Sequence, residues 1–264
     1  GLRYLERARH LLAAFTEAEE AAQTERSQAR GHLVIGAPLM FGRLHVAPLL
    51  ARYLAREPQL SAELLLGDRY ASLIEERIDV AVRIGALADS TLVTRQVGAV
   101  RRVLVAAPDY LARRGVPQTP AGLSGHELIA CTAVTPGQEW TFGDGERLQR
   151  VAVAPRLRSN SADAAILYAE RGGGITAVLA YQVADALRAA RLAIVLAAYE
   201  PPPLPIRLVY PSAQGLPART RRFIDLVVAD SNWRFTDFDV PPDTAATVPG
   251  TASDRLVPGQ DAGA

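Results

Sequence analysis

The sequence predicts an α/β protein of two lobes joined by a hinge and preceded by a long N-terminal helix. Four observations predict it. Residues 2–28 contain no Pro or Gly and are dominated by Ala, Glu, Arg and Leu. After Gly31, short apolar runs alternate with helical patterns, as in parallel sheets covered by helices on both faces. The strand-like runs outnumber what one small sheet needs. A proline-rich stretch, EPPPLPIR at 200–207, reads as an extended crossover between two sheets.

Each element follows in order. In the first helix, Leu5, Leu12 and Glu19 share one heptad position, and Ala8, Phe15 and Ala22 share another. That seam suits packing on a second helix. An ordinary amphipathic helix lying on its own domain is the alternative, but a free-standing helix must bury its Leu/Phe stripe somewhere. Residues 1–29 are therefore assigned to a linker and dimerisation helix, with Leu5, Ala8, Leu12 and Phe15 as its contact positions. Strands are expected at 32–37, 62–66, 80–84, 92–97 and 103–106, then at 127–132, 139–142, 151–157, 175–178, 192–196 and 205–210. Helices are expected at 44–56, 70–77, 108–114, 162–171, 181–189 and 218–229. A second crossover near 97–102 makes a two-strand hinge, because the last strand and helix return to the first lobe. Lobe I then takes residues 31–98 and 206–230, and lobe II takes 99–205. From Asp237 onward Pro, Asp, Thr, Ala and Gly dominate, so residues 231–264 are assigned to a disordered tail.

Composition narrows the partners. At 264 residues, 49% apolar and 22% charged, the chain has the make-up of a soluble globular protein with ample core. Net charge is +1, so no polyanion partner is required. All 29 basic residues are Arg, which reflects base composition. Cys131 stands alone, so neither an internal disulfide nor a cysteine metal cluster is expected. The opening GLRYLERARH lacks an apolar signal core, and no apolar run reaches membrane-spanning length. A cytoplasmic location is expected. The first residue is not Met and already lies in a helical pattern, so an upstream segment is expected.

Enzymatic constellations fail on spacing. GAPLMFGR, between the first strand and first helix, invites comparison with a phosphate cradle. Gly36 and Gly42 are one residue too far apart, Arg43 stands where Lys is needed, and Leu44 replaces the hydroxyl. Gly172–Gly174 leaves a helix and enters a strand, the reverse of a dinucleotide turn, and reads as a helix stop. No G-x-S-x-G elbow is present, and His10, His32, His45 and His126 have no metal spacing. His45 reads as exposed or packed rather than catalytic, and Cys131 as a buried structural thiol. No catalytic residue, metal or cofactor is expected.

What survives is non-covalent binding. A helix N-terminus carries unpaired N–H groups and partial positive charge, which attract carboxylates and hydroxyls. GAPLMFGR leads into one helix, and RSNSADAA at 158–165 leads into another. Asn160 and Ser161 suit simple helix capping as well. If the lobes face each other, both helix starts border one cleft, where such folds place ligands.

At this point the residues resemble a family. YLERAR (4–9), GHLVIGAPLMFGR (31–43), DVAVRIG (79–85), RRVLVAAPDYLARRGVPQTPAGLSGHE (101–127) and RGGGIT (171–176) together are similar to LysR-type transcriptional regulators, over about residues 2–230. The joint order and spacing carry the resemblance rather than any single motif. It implies a linker helix and an effector-binding domain of periplasmic-binding-protein type, controlling transcription as a homodimer or homotetramer. The family's winged helix-turn-helix should precede residues 4–9 and is not in this chain, so DNA contact is expected only through that missing domain. The implied effector pocket lies between the lobes. Ala37, Pro38, Leu39 and Phe41 match the loop after the first strand. Gly67 and Asp68 match the end of the second, and Gly85 and Leu87 follow the third. Thr132, Asn160, Ser161 and Gly174 come from lobe II. Asp68 either meets an effector amine or hydroxyl, or pairs with a nearby Arg. Many family members have a hydroxyl at or near Ala37, which this chain lacks. The rival readings are a stand-alone solute-binding protein and an enzyme on the same scaffold.

Overall fold

The computed structural model describes residues 29–68, 73, 75–86, 92–143, 148–211 and 216–236. The helix expected at the N-terminus, with Leu5, Ala8, Leu12 and Phe15, lies outside the described residues, as do Leu87 and four of the eight residues of the helix expected at 70–77; the other four, 73 and 75–77, form turns.

Two sheets account for the architecture. The first has, in spatial order, β13 (Trp233–Phe235), β4 (Val93–Val100), β12 (Leu204–Tyr210), β3 (Val80–Ile84), β1 (Gly31–Ala37) and β2 (Leu60–Leu66). The second runs β11 (Ala193–Val195), β5 (Arg102–Ala106), β10 (Ile175–Leu179), β6 (Leu128–Cys131) and β9 (Leu157–Ser159). Neither sheet is wholly parallel, which departs from the expectation. In the first, β12 alone runs against its neighbours β3 and β4. In the second, β5 alone runs against β10 and β11. Each reversed strand is the one the chain enters after crossing from the other sheet, so reversal is the geometric result of the double crossover.

Local sequence sets the elements. β1 places Leu33 and Ile35 wholly inside and pairs in parallel with β2 through seven registers, Gly31↔Leu60 to Ala37↔Leu66. The helix that follows, α1, starts as one turn (Leu39–Phe41), widens into a π-helical turn (Gly42–Val46) and continues as a regular helix (Ala47–Arg56). It buries Leu49, Leu50 and Tyr53, and the Tyr53 hydroxyl donates to the Arg219 carbonyl at 2.6 Å. That carbonyl belongs to the long helix Ala218–Asp230 (α5), so the bond fixes the two helices to each other. Between them in the chain lie α2 (Pro108–Arg114), α3 (Ala162–Glu170) and α4 (Ala184–Arg188). The run expected as one strand at 151–157 is two, a hairpin strand β8 (Gln149–Ala152) paired with β7 (Glu139–Phe142), and then β9. Pro155 divides them because it has no N–H for a ladder.

Residues 231–236, assigned to the tail, include a strand. Trp233–Phe235 adds a parallel strand to β4, with Trp233 opposite Gly98. Trp233 is buried, its ring 4.9 Å from that of Phe41 at 80°. A Cβ at position 98 would run into the Trp233 carbonyl, so the strand can approach only a glycine. The pattern Trp-Arg-Phe has the period of a strand, but three residues are too few to stand out from the polar stretch around them.

One apolar core runs from the first sheet across to the facing side of the second, from Leu33 and Phe41 to Val105, Ile129 and Ala165. A second cluster, with Leu104, Tyr110, Trp140 and Phe142, fills the outer side of the second sheet beneath the β7–β8 hairpin. We expect Trp233→Ala to lower unfolding stability by about 3–5 kcal/mol. Urea titration checks this, and a loss below about 1 kcal/mol would show that β13 is not part of the core.

Candidate functional site

The two crossovers form the hinge. Arg101, the single residue between β4 and β5, meets Glu200 of the second crossover in a two-bond ion pair, Nε to Oε2 at 2.7 Å and a terminal nitrogen to Oε1 at 2.8 Å. Both side chains are largely buried, which makes the paired geometry count for more than a surface contact. The Arg101 N–H donates to the Phe235 carbonyl at 3.3 Å, and its carbonyl accepts from Ala180 N–H at 2.9 Å. The hinge residue is thereby fixed to β13 on one side and to the second sheet on the other.

Beside the hinge lies a cavity of about 100 Å³ between the lobes. Its first wall is made of Pro38, Gly67, Asp68, Arg83 and Ile84. The pairings Ala37↔Leu66 and Gly36↔Ala81, continued along the strands, bring Pro38, Gly67 and Arg83 to one level. These are the carboxyl ends of three adjacent parallel strands, where open α/β sheets bind ligands. The opposite wall is Ala133 and Val134, just past β6, with Leu179, Tyr181 and Gln182 at the end of β10. Leu204, the first residue of β12, closes the side nearest the hinge.

Of the residues expected in the pocket, Pro38, Gly67 and Asp68 line this cavity. Gly85 follows the lining residue Ile84, has φ +98° and donates its N–H to the Pro205 carbonyl at 2.9 Å. Ala37 is buried at the end of β1, and Leu39 faces solvent. Phe41 lies beneath the cavity rather than along it. It is fully buried, and its ring stands edge-on to Tyr181 at 5.3 Å and 90°. Thr132, Asn160 and Ser161 sit on the same edge of the second sheet without lining the cavity. The Thr132 hydroxyl is held by the Ser159 carbonyl at 3.2 Å. Gly174 stands at the far end of β10, about 16 Å from Leu179 at strand rise. There its φ of +137° and the Glu127 carbonyl against its Cβ direction require glycine for backbone reasons.

Both helix starts proposed as ligand sites are already capped by the protein. Asp68 Oδ1 accepts from the Leu39 N–H at 3.1 Å, placing a carboxylate at the first turn of α1. Neither role expected for Asp68 includes this cap, and no ion pair with an Arg joins it among the described residues. Ser161 Oγ accepts from Ala164 N–H at 3.2 Å, an ordinary N-cap of α3.

Arg83 and Tyr181 carry most of the cavity's chemistry and were not among the sequence candidates. Arg83 is only 6% exposed, so the cavity has a buried cation on its floor. An Arg inside the apolar run DVAVRIG was the available signal, since a charge in a buried strand needs a reason. Burial pushes the Tyr181 phenol well above its ordinary value, so it stays a neutral hydroxyl. Gln182 Oε1 accepts from Leu179 N–H at 2.8 Å, and its amide nitrogen lies 3.5 Å from the Tyr181 hydroxyl. Cys131 is fully buried, and burial raises its thiol, so it is unreactive, as its strand position suggests. Among the described residues no group of His, Cys, Asp and Glu is placed to hold a metal. No helix among them is long and apolar enough to cross a membrane.

His45 is packed. Its ring lies 4.9 Å from Phe41, 5.3 Å from Tyr181 and 4.8 Å from Phe235, and its Nε2 is buried without a hydrogen bond. Burial lowers its pKa from 6.5 to about 4. The unfolded chain therefore takes up a proton below pH 6.5 that the folded chain refuses until about pH 4. Stability is full above that window and falls through it as the pH drops. We expect His45→Leu to flatten this part of the profile. Urea midpoints measured between pH 7 and pH 4 check it, and an unchanged slope would remove His45 as its source.

Comparison with known proteins agrees with this architecture. Residues 26–231 match the family model for the LysR substrate binding domain. A Haemophilus influenzae HTH-type transcriptional regulator, itself named as uncharacterised, is 31% identical over 219 residues, 83% of this chain and 76% of that protein. The HTH-type transcriptional regulator PtxR of Pseudomonas aeruginosa is 32% identical over 202 residues, 76% of this chain and 64% of its own. The regulatory domain of CrgA, a LysR-type transcriptional regulator from Neisseria meningitidis, superposes with a TM-score of 0.66 at 28% identity, over 75% of this chain and 98% of that one. Full-length AphB, the Vibrio cholerae virulence activator, shares the fold with a TM-score of 0.67 at 23% identity, over 82% and 75% of the two chains. The chain belongs to the LysR-type transcriptional regulators and carries their substrate-binding domain.

Proposed function

We propose that this domain senses a small-molecule effector in the inter-lobe cavity and transmits the resulting lobe geometry to a DNA-binding domain outside the chain. The observation that carries the reading is the cavity's construction. Its walls come from the carboxyl ends of both sheets and from the hinge-side residue Leu204, so a bound molecule touches every part that moves when the lobes rotate. The relatives' names as transcriptional regulators support the output. The seam at Leu5, Ala8, Leu12 and Phe15 supports a dimer or tetramer as the unit that presents DNA-binding domains. Of the expected contact residues, Pro38, Gly67 and Asp68 are the ones that line the cavity.

A ligand shifts lobe geometry only by its difference in affinity for the two arrangements. A volume of about 100 Å³ is below the range of about 300–1,000 Å³ for drug-sized ligands, so the effector has few heavy atoms in this lobe arrangement. The cavity pairs no nucleophile with a base among the described residues, which favours sensing over catalysis.

The test is a thermal-shift screen of small organic acids, amines and alcohols against the chain and against Ala133→Phe, which fills the cavity from lobe II. Compounds that raise Tm in the parent should lose that effect in the variant. A stabilising compound whose effect survives the substitution binds elsewhere and overturns the cavity as the effector site.

A further inference from the structure

A second hollow lies on the outer face of the first sheet, where β13 meets β4 beside the end of α5. Its volume is about 440 Å³, within the range of about 300–1,000 Å³ for small-ligand pockets. The hollow is built on an irregularity. Ile206 of β12 pairs with Gly98 and the next residue, Arg207, with Gln96, so Val97 is an extra residue, a β-bulge. The bulge bends β4 just before Gly98, where β13 begins to pair. Trp233 is buried in the core and the Phe235 ring meets Phe41, so Arg234 between them faces outward beside its register partner Ala99. Val97, Ala99 and Val228, the last 41% exposed, give the hollow an apolar lining, and Gln96 adds an amide.

Charge sets this place apart from its surroundings. On the adjoining helices Arg52 and Arg56 share Asp230, and Arg222 meets Glu57. Arg234 is the charged residue of the lining and meets no carboxylate among the described residues. We infer that the hollow is a second ligand site, separate from the inter-lobe cavity, and that it takes a small monocarboxylate with an apolar body. The carboxylate pairs with the Arg234 guanidinium, and the hydrocarbon covers Val97, Ala99 and Val228. A phosphate monoester or a dicarboxylate sets a second charge against an apolar wall. An alcohol of the same length leaves the guanidinium to water. The occupant touches β4, β13 and α5 at once, so its binding stabilises the contact of the last strand with the sheet. None of this rests on the cleft reading above.

Calorimetric titration of the chain with octanoate, beside octanol, octylamine and acetate, tests it. Octanoate should bind about fivefold or more tightly than octanol and octylamine, the upper worth of an exposed ion pair. Acetate lacks the apolar body and should give no heat of binding. Arg234→Gln should weaken octanoate about fivefold, to the level of octanol. Val228→Glu puts a carboxylate into the same hollow and should abolish octanoate binding. Both positions are exposed, and circular dichroism checks that both variants fold. Ala133→Phe, which fills the inter-lobe cavity, should leave octanoate unchanged. The inference is overturned if octanoate does not bind, if it binds no more tightly than octanol, or if it keeps its parent affinity in Arg234→Gln or Val228→Glu. Loss of octanoate binding in Ala133→Phe would put the molecule in the inter-lobe cavity, overturning this inference and leaving the cleft reading standing.

Discussion

The packing of Phe41 against Tyr181 is the contact on which the rest depends. Phe41 comes from the first turn of α1 in one lobe, and Tyr181 from the 3-10 turn after β10 in the other. Trp233 and Phe235 of β13 close around the same ring at 4.9 and 6.2 Å. One side of Tyr181 is therefore core and the other is cavity wall. Tyr181 also lies 5.5 Å from the ring of Phe235, whose carbonyl accepts from the Arg101 N–H in the hinge. Cavity wall, inter-lobe contact and hinge are thus joined by a few rings in contact.

Electrostatics divide the labour differently. The buried Arg101–Glu200 pair ties the two crossovers together. Across the lobes themselves, Arg43 and Asp163 meet at 3.4 Å with both side chains about half exposed. Such a pair contributes about 0–1 kcal/mol and is weakened by salt. The lobes are held by apolar packing near the hinge and only lightly by charge at the rim.

Much of this was legible in the sequence, for reasons that also explain the failures. Strands such as β1 and β3 are mostly apolar because their central residues are covered on both faces, and their limits lie within a residue of expectation. The reversed direction of β5 and β12 was not legible, since strand direction leaves no mark on composition. Pro38, Gly67 and Asp68, which the family resemblance placed at the cleft, follow the ends of parallel strands and line the cavity. Phe41 could not be placed, because a helix start gives no phase until the turn that follows is known, and here that turn is a π-helix. Tyr181 read as a helix start when it lies in the short 3-10 turn Ala180–Gln182 after β10, and its aromatic neighbours come from segments up to 140 residues away in the chain, as with Phe41. Gly174 shared a family-like motif, but its requirement is backbone close approach to Glu127.

The most direct test of the account is a double-mutant cycle on Phe41→Leu and Tyr181→Leu, with unfolding free energies from urea titration. Edge-on aromatic packing predicts a coupling of about 0.5–1.5 kcal/mol between the two positions. Single-variant losses that simply add, within about 0.3 kcal/mol, would mean the rings do not act as one contact and that the lobes are joined by something else.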